Sequence, residues 1–403
     1  MIIKYMFPVL MTLLASMIFT ACPKKEESED HPFDLGDSKV AAYIRTWSIP
    51  GSAQVDGSSF WNADMIKGEY LSDLIISFAL INKSDGFSLY IPEVESGRFS
   101  NLWNEVSALK QKYPKLNVTF SVGGYNEGGF SDMADDPAKR AGFTANVCDW
   151  LERHNLDGVD IDWEYPVGPP WGQHIPSRAS DRENYITLLQ DLRDVMDELG
   201  KKTGKRYSLS TAVPASGWFL QSNDVKAASR IVDALKLMSY DYYGSWSSTT
   251  GHNANIFRNP LDPAGWSTDQ AVTAYLNAGI QSEKIMLGAA FYGRAWRGVA
   301  KGNNSNTPGL FQPYDNVPFD GLSWTDLKQD YLTPVSGYTR YWDNIAKSPF
   351  LFNDDIWITY SDEEQIKLLG AYAKEKKLKG VFTWEYAHDF TGELIKILAE
   401  SSQ

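Results

Sequence analysis

Short, β-branched apolar runs alternate with longer segments of helical period along most of the chain, and this alternation leaves few architectures open. Eight runs can be counted: Lys39–Thr46, Asp73–Leu80, Asn117–Gly123, Gly158–Tyr165, Arg206–Val213, Ala234–Tyr240, Lys284–Tyr292 and Lys379–Tyr386. Between them lie segments that read as helices, among them Phe99–Tyr113, Ala138–Asn155, Arg182–Leu199, Asp269–Ala278 and Glu363–Lys377, with Thr391–Ala399 after the last strand. Parallel strands need crossovers, so strand followed by helix eight times predicts an α/β fold of the (β/α)8 TIM-barrel type, about 250 residues before insertions. The interval between the seventh and eighth strands is too long for one loop and one helix. Its first part, 297–360, is rich in Trp, Tyr, Pro, Gly and Asp and has no long helical period. A structureless loop of that length would be out of place in a compact domain, so a small α+β insertion is expected there, on the C-terminal face. The barrel is expected over 38–296 and 361–403.

Composition narrows the function classes. At 43% hydrophobic and 22% charged over 403 residues, the chain can build a large core and is neither disordered nor fibrous. A net charge of -13, from 38 Lys+Arg against 51 Asp+Glu, argues against a nucleic-acid partner, which would need a clustered basic surface. Cys22 and Cys148 are the only cysteines, and the histidines His31, His154, His174, His252 and His388 show no ligand spacing. No metal and no cofactor are therefore expected. Cys148 reads as a packing residue rather than a reactive thiol.

The amino terminus reads as an address. Lys4 precedes an apolar run from Tyr5 to Phe19 and a stretch of small residues, the layout of a secretory signal over 1–21, and the run is too short to span a bilayer. Phe19-Thr20-Ala21-Cys22 resembles the cleavage box of bacterial lipoproteins, which implies lipidation at Cys22. The polar segment 22–37 would then be a solvated tether. The expected location is the bacterial cell envelope, outside the cytoplasm, with the membrane contacted through the lipid alone and the protein a monomer.

The most informative stretch is Asp157-Gly158-Val159-Asp160-Ile161-Asp162-Trp163-Glu164-Tyr165-Pro166, where acids and large apolar residues alternate. A strand sorts them onto two faces: Asp160, Asp162 and Glu164 on one, Val159, Ile161 and Trp163 on the other. In a barrel the apolar face packs under the helices and the acids point inward. Like charges so close push at least one pKa upward, which keeps an acid protonated near neutral pH. Glu164 lies nearest the C-terminal end of the strand, where barrel enzymes carry out their chemistry, and is the expected general acid/base. Asp162 is placed to hold or polarise it, and Asp160 to share a proton with Asp162. A calcium loop is excluded, because counting from Asp157 its glycine and glutamate positions are filled by Asp162 and Gly168. A solvated edge strand would not carry the Val/Ile/Trp face.

These residues carry a resemblance. Asp-x-x-Asp-x-Asp-x-Glu on the fourth strand is similar to the signature of glycoside hydrolase family 18, the chitinase family. Ser121-Val122-Gly123-Gly124, Met238-Ser239-Tyr240-Asp241, Tyr292-Gly293-Arg294 and Trp384-Glu385 resemble that family's motifs on strands three, six, seven and eight. Such a resemblance implies retaining hydrolysis of β-1,4 bonds between N-acetylglucosamine units, in chitin or its oligosaccharides, with the sugar's own acetamido carbonyl as nucleophile. Glu164 would protonate the glycosidic oxygen, Asp162 would orient the acetamido group and Tyr240 would hydrogen-bond its carbonyl.

The resemblance also implies binding residues. Trp384 would form the floor under the distorted sugar, Tyr43 and Phe78 would close its base, and Met238 and Asp241 would line it. Gly124 and Tyr125 belong to the rim of the third strand, and Tyr125 stands where many chitinases carry Trp. Tyr292, Arg294 and Trp296 would touch sugars from the seventh-strand side. Two other readings compete: a lectin-like member that binds such glycans without cutting them, and an endo-acting enzyme on glycoprotein glycans. The first usually lacks the acid, and the second commonly lacks an insertion between strands seven and eight.

Overall fold

A computed structural model describes residues 38–49, 59–262 and 265–403; the export segment, tether and Cys22 of the sequence reading lie outside the described residues. In chain order the strands are β1 (Lys39–Arg45), β2 (Asp73–Asn82), β3 (Ser88–Tyr90), β4 (Asn117–Tyr125), β5 (Gly158–Glu164), β6 (Ser208–Pro214) and β7 (Ala234–Met238). They continue with β8 (Ile285–Ala290), β9 (Tyr292–Arg297), β10 (Asp320–Ser323), β11 (Thr339–Asp343), β12 (Ser348–Phe352), β13 (Ile356–Thr359) and β14 (Gly380–Trp384). Parallel pairing runs β1-β14-β8-β7-β6-β5-β4-β2 and closes through β1 with β2, giving an eight-stranded barrel. Each run expected from the sequence overlaps one of the eight barrel strands, with β2, β4 and β6 extending one or two residues past the expected end. The antiparallel strand β3, paired with β2 at Leu80 and Tyr90, escaped the sequence reading, as did the short helix Val225–Ile231 after β6.

Continuous apolar runs such as Leu74-Ile75-Ile76 form barrel strands because both faces are covered, by helices outside and by side chains within. The helices supply the outer layer for local reasons. Asp181–Thr203 buries Tyr185, Leu188, Leu189, Leu192, Met196 and Leu199 at three- and four-residue spacing, and Gly204 ends it in the left-handed region at φ 72°. Pro137 opens Pro137–Arg153, where the carboxylate of Asp136 accepts hydrogen bonds from the Ala138 and Lys139 amides. On β5, Val159, Ile161 and Trp163 join the large outer core, where Trp163 stacks on Phe130 with ring centroids 5.1 Å apart. The barrel interior holds a smaller cluster of Ala41, Tyr43, Ile75, Ala234, Met286 and Phe382, bordered by Phe78, Met238, Tyr240 and Trp384.

Between β8 and β14 the chain builds a second, five-stranded antiparallel sheet in the order β10-β9-β13-β12-β11. Its strand β9 takes in Tyr292–Trp296, which the sequence assigns to the barrel, and follows β8 with only Phe291 between them. Phe291 is wholly buried and is pinned on both sides: its amide donates to Trp384 O and its carbonyl accepts from Trp324 N, each at 3.0 Å.

Two glycines at the end of β4 let the backbone come close to the acid strand. A Cβ at Gly123, where φ is 109°, would lie 2.2 Å from the Asp162 carbonyl oxygen; one at Gly124, where φ is 103°, would lie 2.8 Å from the Phe78 ring. Both the φ and the space exclude a side chain. Gly123→Ala is therefore expected to lower unfolding free energy in urea titrations by at least about 2 kcal/mol, the scale of strain plus overpacking.

Candidate active site

The alternation on β5 and its in-register neighbours place three carboxylates along one inward face. Ser121 pairs with Asp160, Gly123 with Asp162 and Tyr125 with Glu164 on the β4 side, and Ser210 pairs with Asp160 on the β6 side. Asp160 lies deepest and is fully buried. Its Oδ2 accepts from the Tyr43 hydroxyl and the Ser121 hydroxyl, both at 2.8 Å; its Oδ1 accepts from Ser210 Oγ at 2.7 Å and Lys236 Nζ at 2.8 Å. Burial alone would raise this carboxyl, but the charge and hydrogen bond of Lys236, helped by both serines, hold it below the usual carboxylate range. The expected sharing of a proton between Asp160 and Asp162 is thus corrected. Asp160 is an anion whose acceptor sites are already filled.

Asp162 differs in almost every respect. It is buried, its Oδ1 has no hydrogen-bond partner among the described residues, and burial together with the charges of Glu164 and Asp160 pushes its pKa well above the ordinary value. An unsatisfied carboxyl oxygen inside a barrel is costly, so it marks a position kept open for something else. Glu164, at the rim, is only partly buried. Burial raises its pKa to about 7, against a hydrogen bond from Tyr165 and with some help from the charge of Asp241. An acid held in that range can give up and recover a proton near neutrality.

Tyr240 stands just past the end of β7, with its ring 6.2 Å from those of Tyr292 and Phe382. Gly288 makes room for it, since a Cβ there would meet the Tyr240 ring at 2.7 Å. Met238, the last residue of β7, is partly buried beside it. Asp241 takes a positive φ of 60° and is held by the Tyr292 hydroxyl and by Arg294 Nη2, each at 2.6 Å. Arg294 also pairs with Asp320 on β10 and lies 4.8 Å from the ring centre of Trp246. It thereby ties the rim of the barrel to the second sheet.

The opposite side is aromatic. Trp384, the last residue of β14, stacks on Phe78 at 5.5 Å and 20°, and its ring lies 5.8 Å from Tyr43 and 6.2 Å from Trp47. Trp47, two residues past β1, was missed by the sequence reading, although a Trp just beyond a barrel strand is itself a signal. Behind Trp384, the carboxylate of Glu385 is fully buried and accepts from Arg45 N at 3.0 Å and Arg45 Nε at 2.6 Å. Tyr125 is 70% exposed at the end of β4.

One expected contact is not made. Trp296 is 0% exposed, packed with Trp357, Phe350, Phe352 and Leu310 in the core of the second sheet, where the segment around Tyr314 covers it. It presents no surface to a ligand.

A parallel barrel with a protonatable acid at its C-terminal rim, aromatic faces on one side and an open polar position beneath, has the constitution of a glycosidase. The chain belongs to glycosyl hydrolases family 18, whose model matches residues 39–389. It is 34% identical over 302 residues to chitinase A1 of Niallia circulans, covering 71% of this chain and 42% of that protein. It is 30% identical over 377 residues to probable chitinase 2 of Drosophila melanogaster, covering 89% and 74%. Among solved structures it resembles a family 18 N-acetylglucosaminidase from Paenibacillus barengoltzii, with a TM-score of 0.78 and 30% identity over 90% of this chain and 99% of that one. Chitinase ChiA74 from Bacillus thuringiensis gives a TM-score of 0.80 at 28% identity, covering 91% and 70%. The chain spans less than half the length of the Niallia enzyme.

His388 supplies a pH test of the support beneath Trp384. Its Nε2 lies 2.9 Å from Arg45 Nη2, which can only donate, so the ring is the neutral Nδ1–H tautomer. Burial and the Arg45 charge lower its pKa to about 3, against 6.5 in an open chain. A depressed folded-state pKa contributes stability above pH 6.5 that is lost as pH falls toward 3. His388→Gln should therefore flatten the acid side of the stability curve in this window, read from urea midpoints at stepped pH.

Proposed function

We propose that the protein hydrolyses β-1,4 bonds between N-acetylglucosamine residues, in chitin or its soluble oligosaccharides, with retention of configuration. The observation that carries this reading is the unequal carboxylate row: a filled anion at Asp160, an open oxygen on Asp162 and a rim acid, Glu164, raised to about 7. In a double displacement with an enzyme nucleophile, a second ionised carboxylate would have to face the anomeric carbon. Here the neighbour of the acid is a carboxyl whose proton affinity is itself raised, suited to hydrogen-bonding an amide rather than to attack.

The steps follow. Glu164 transfers its proton to the glycosidic oxygen as the bond from that oxygen to the anomeric carbon breaks. The acetamido carbonyl oxygen attacks the same carbon and forms a cyclic oxazolinium. Asp162 stabilises the positive charge that spreads onto the amide nitrogen, and the Tyr240 hydroxyl donates to the carbonyl oxygen. Water then opens the ring and passes a proton to Glu164, which restores the acid. Trp384, Phe78 and Trp47 offer stacked faces of pyranose size beneath the reacting sugar, and Asp241, Tyr292 and Arg294 its polar border.

The tetramer and hexamer of N-acetylglucosamine should be cleaved and a glucose oligomer should not, with products resolved by chromatography. Glu164→Gln should lower kcat by about 10²- to 10⁴-fold while leaving oligosaccharide affinity within a few-fold. Since the acid form is required, kcat/KM should fall as pH rises through about 7. Cleavage at the wild-type rate by Glu164→Gln would remove Glu164 from this role, and binding without cleavage by the wild type would make the chain a glycan-binding protein.

We also propose that the chain is exported and anchored through Cys22, on the strength of the apolar run and small residues that precede it. Radiolabelled palmitate should be incorporated by the full-length chain in a bacterial host and not by Cys22→Ala.

A further inference from the structure

Lys236 is a buried, charged side chain in the barrel that the chemistry above does not use. It sits in mid-β7 with its side chain 5% exposed, and its ammonium reaches Asp160 Oδ1 at 2.8 Å and Ser210 Oγ at 2.5 Å, with the Tyr43 ring centre 5.4 Å away. An ammonium buried this deeply is stable only beside an anion, and the anion in contact with it is Asp160. The reverse also holds. Asp160 has two acceptor sites on each oxygen; Tyr43 and Ser121 fill one pair, Ser210 and Lys236 the other, and Lys236 alone among these donors brings a full charge. Serine or tyrosine hydroxyls could equally serve a protonated Asp160 by turning. An ammonium cannot turn to accept the acid's proton, and its charge favours the ionised form.

We propose that Lys236 is a positioning residue for the carboxylate row. By holding Asp160 as a filled anion, it confines the exchangeable proton to Asp162 and Glu164 and fixes the pH range over which the row keeps a single such proton. The inference rests on Glu164 as the acid. The groups facing the row are Tyr43 from β1, Lys236 from β7, and Tyr240, Asp241 and Tyr292 beyond β7 and in β9, with Tyr185 behind β5. The phenols are all raised and stay neutral, which leaves Lys236 as the ammonium in direct contact with the row.

The test is a titration of the full chain labelled with ¹³C at the aspartate side-chain carboxyls, with the Asp160 signal assigned by its loss in Asp160→Asn. In the wild type that signal should keep its ionised shift to below the pH range in which an ordinary aspartate titrates. In Lys236→Met it should titrate about two units higher or more, the scale of losing a contact charge in a buried site. A wild-type Asp160 that is protonated at neutral pH, or that titrates alike in both proteins, overturns the proposal. If Lys236→Met does not fold, the wild-type titration decides, and Lys236→Arg should preserve its shape. On oligosaccharide, the acid limb of kcat should move to higher pH in Lys236→Met, with KM within about two-fold; a merely structural lysine would leave that limb in place. Absence of turnover by the wild type would sink the hydrolase reading and leave the Asp160 titration to decide this one.

Discussion

A carboxylate at the axis of a barrel survives only if its charge is met from all sides, and the rest of this site follows from how that is done. Asp160 is met from β1, β4, β6 and β7 as well as lying on β5, so the anion draws most of the ring of strands onto one point. Removing Lys236, the charged partner, would leave an uncompensated buried charge, a loss of about 3–5 kcal/mol. That convergence leaves the next carboxyl, Asp162, with no hydrogen-bond partner at Oδ1 among the described residues and set between the charges of Asp160 and Glu164. Its open oxygen is thus a product of the deeper anion's satisfaction. The raised acid at the rim continues the same gradient, from ionised to protonatable over three alternate residues.

Backbone and aromatic packing serve that row. Gly123 and Gly124 bring β4 against the Asp162 carbonyl and the Phe78 ring, closer than any side chain would permit, and Gly288 does the same for Tyr240. On the far side, Trp384 is kept in position by its neighbours Phe78 and Trp47 and by the chain beyond it, where Glu385 is clamped by Arg45. Tyr43 joins the polar and apolar halves, with its hydroxyl on Asp160 and its ring 5.8 Å from that of Trp384.

Much of this was legible before any coordinates. The eight strands announce themselves because a strand buried on both faces reads as an unbroken apolar run, and the row of acids because a period of two in a strand is a period of faces. What escaped depends on contacts distant in sequence. Lys236 interrupts the otherwise apolar Ala234–Met238, but its partner is 76 positions away and belongs to a different strand, so the sequence shows the anomaly and not its answer. The sharing of a proton by Asp160 failed for the same reason, since four donors had to be found from four other strands. Trp296 illustrates a different limit. Alternation places it on the same face as Tyr292 and Arg294, yet whether that face is open depends on the segment carrying Leu310 and Tyr314, which folds over the far end.

The junction at Phe291 bears on how a polymer would meet this groove. A single buried residue, bonded on either side to Trp384 and Trp324, gives the second sheet no flexible stem on its entering side, and Arg294 bolts the same strand to the barrel rim. Hinges need a few residues free to change their dihedral angles. A wall mounted this stiffly does not swing shut around its ligand. For the glycan proposed above, selection would then fall to the fit of a surface already in place rather than to the work of closing one.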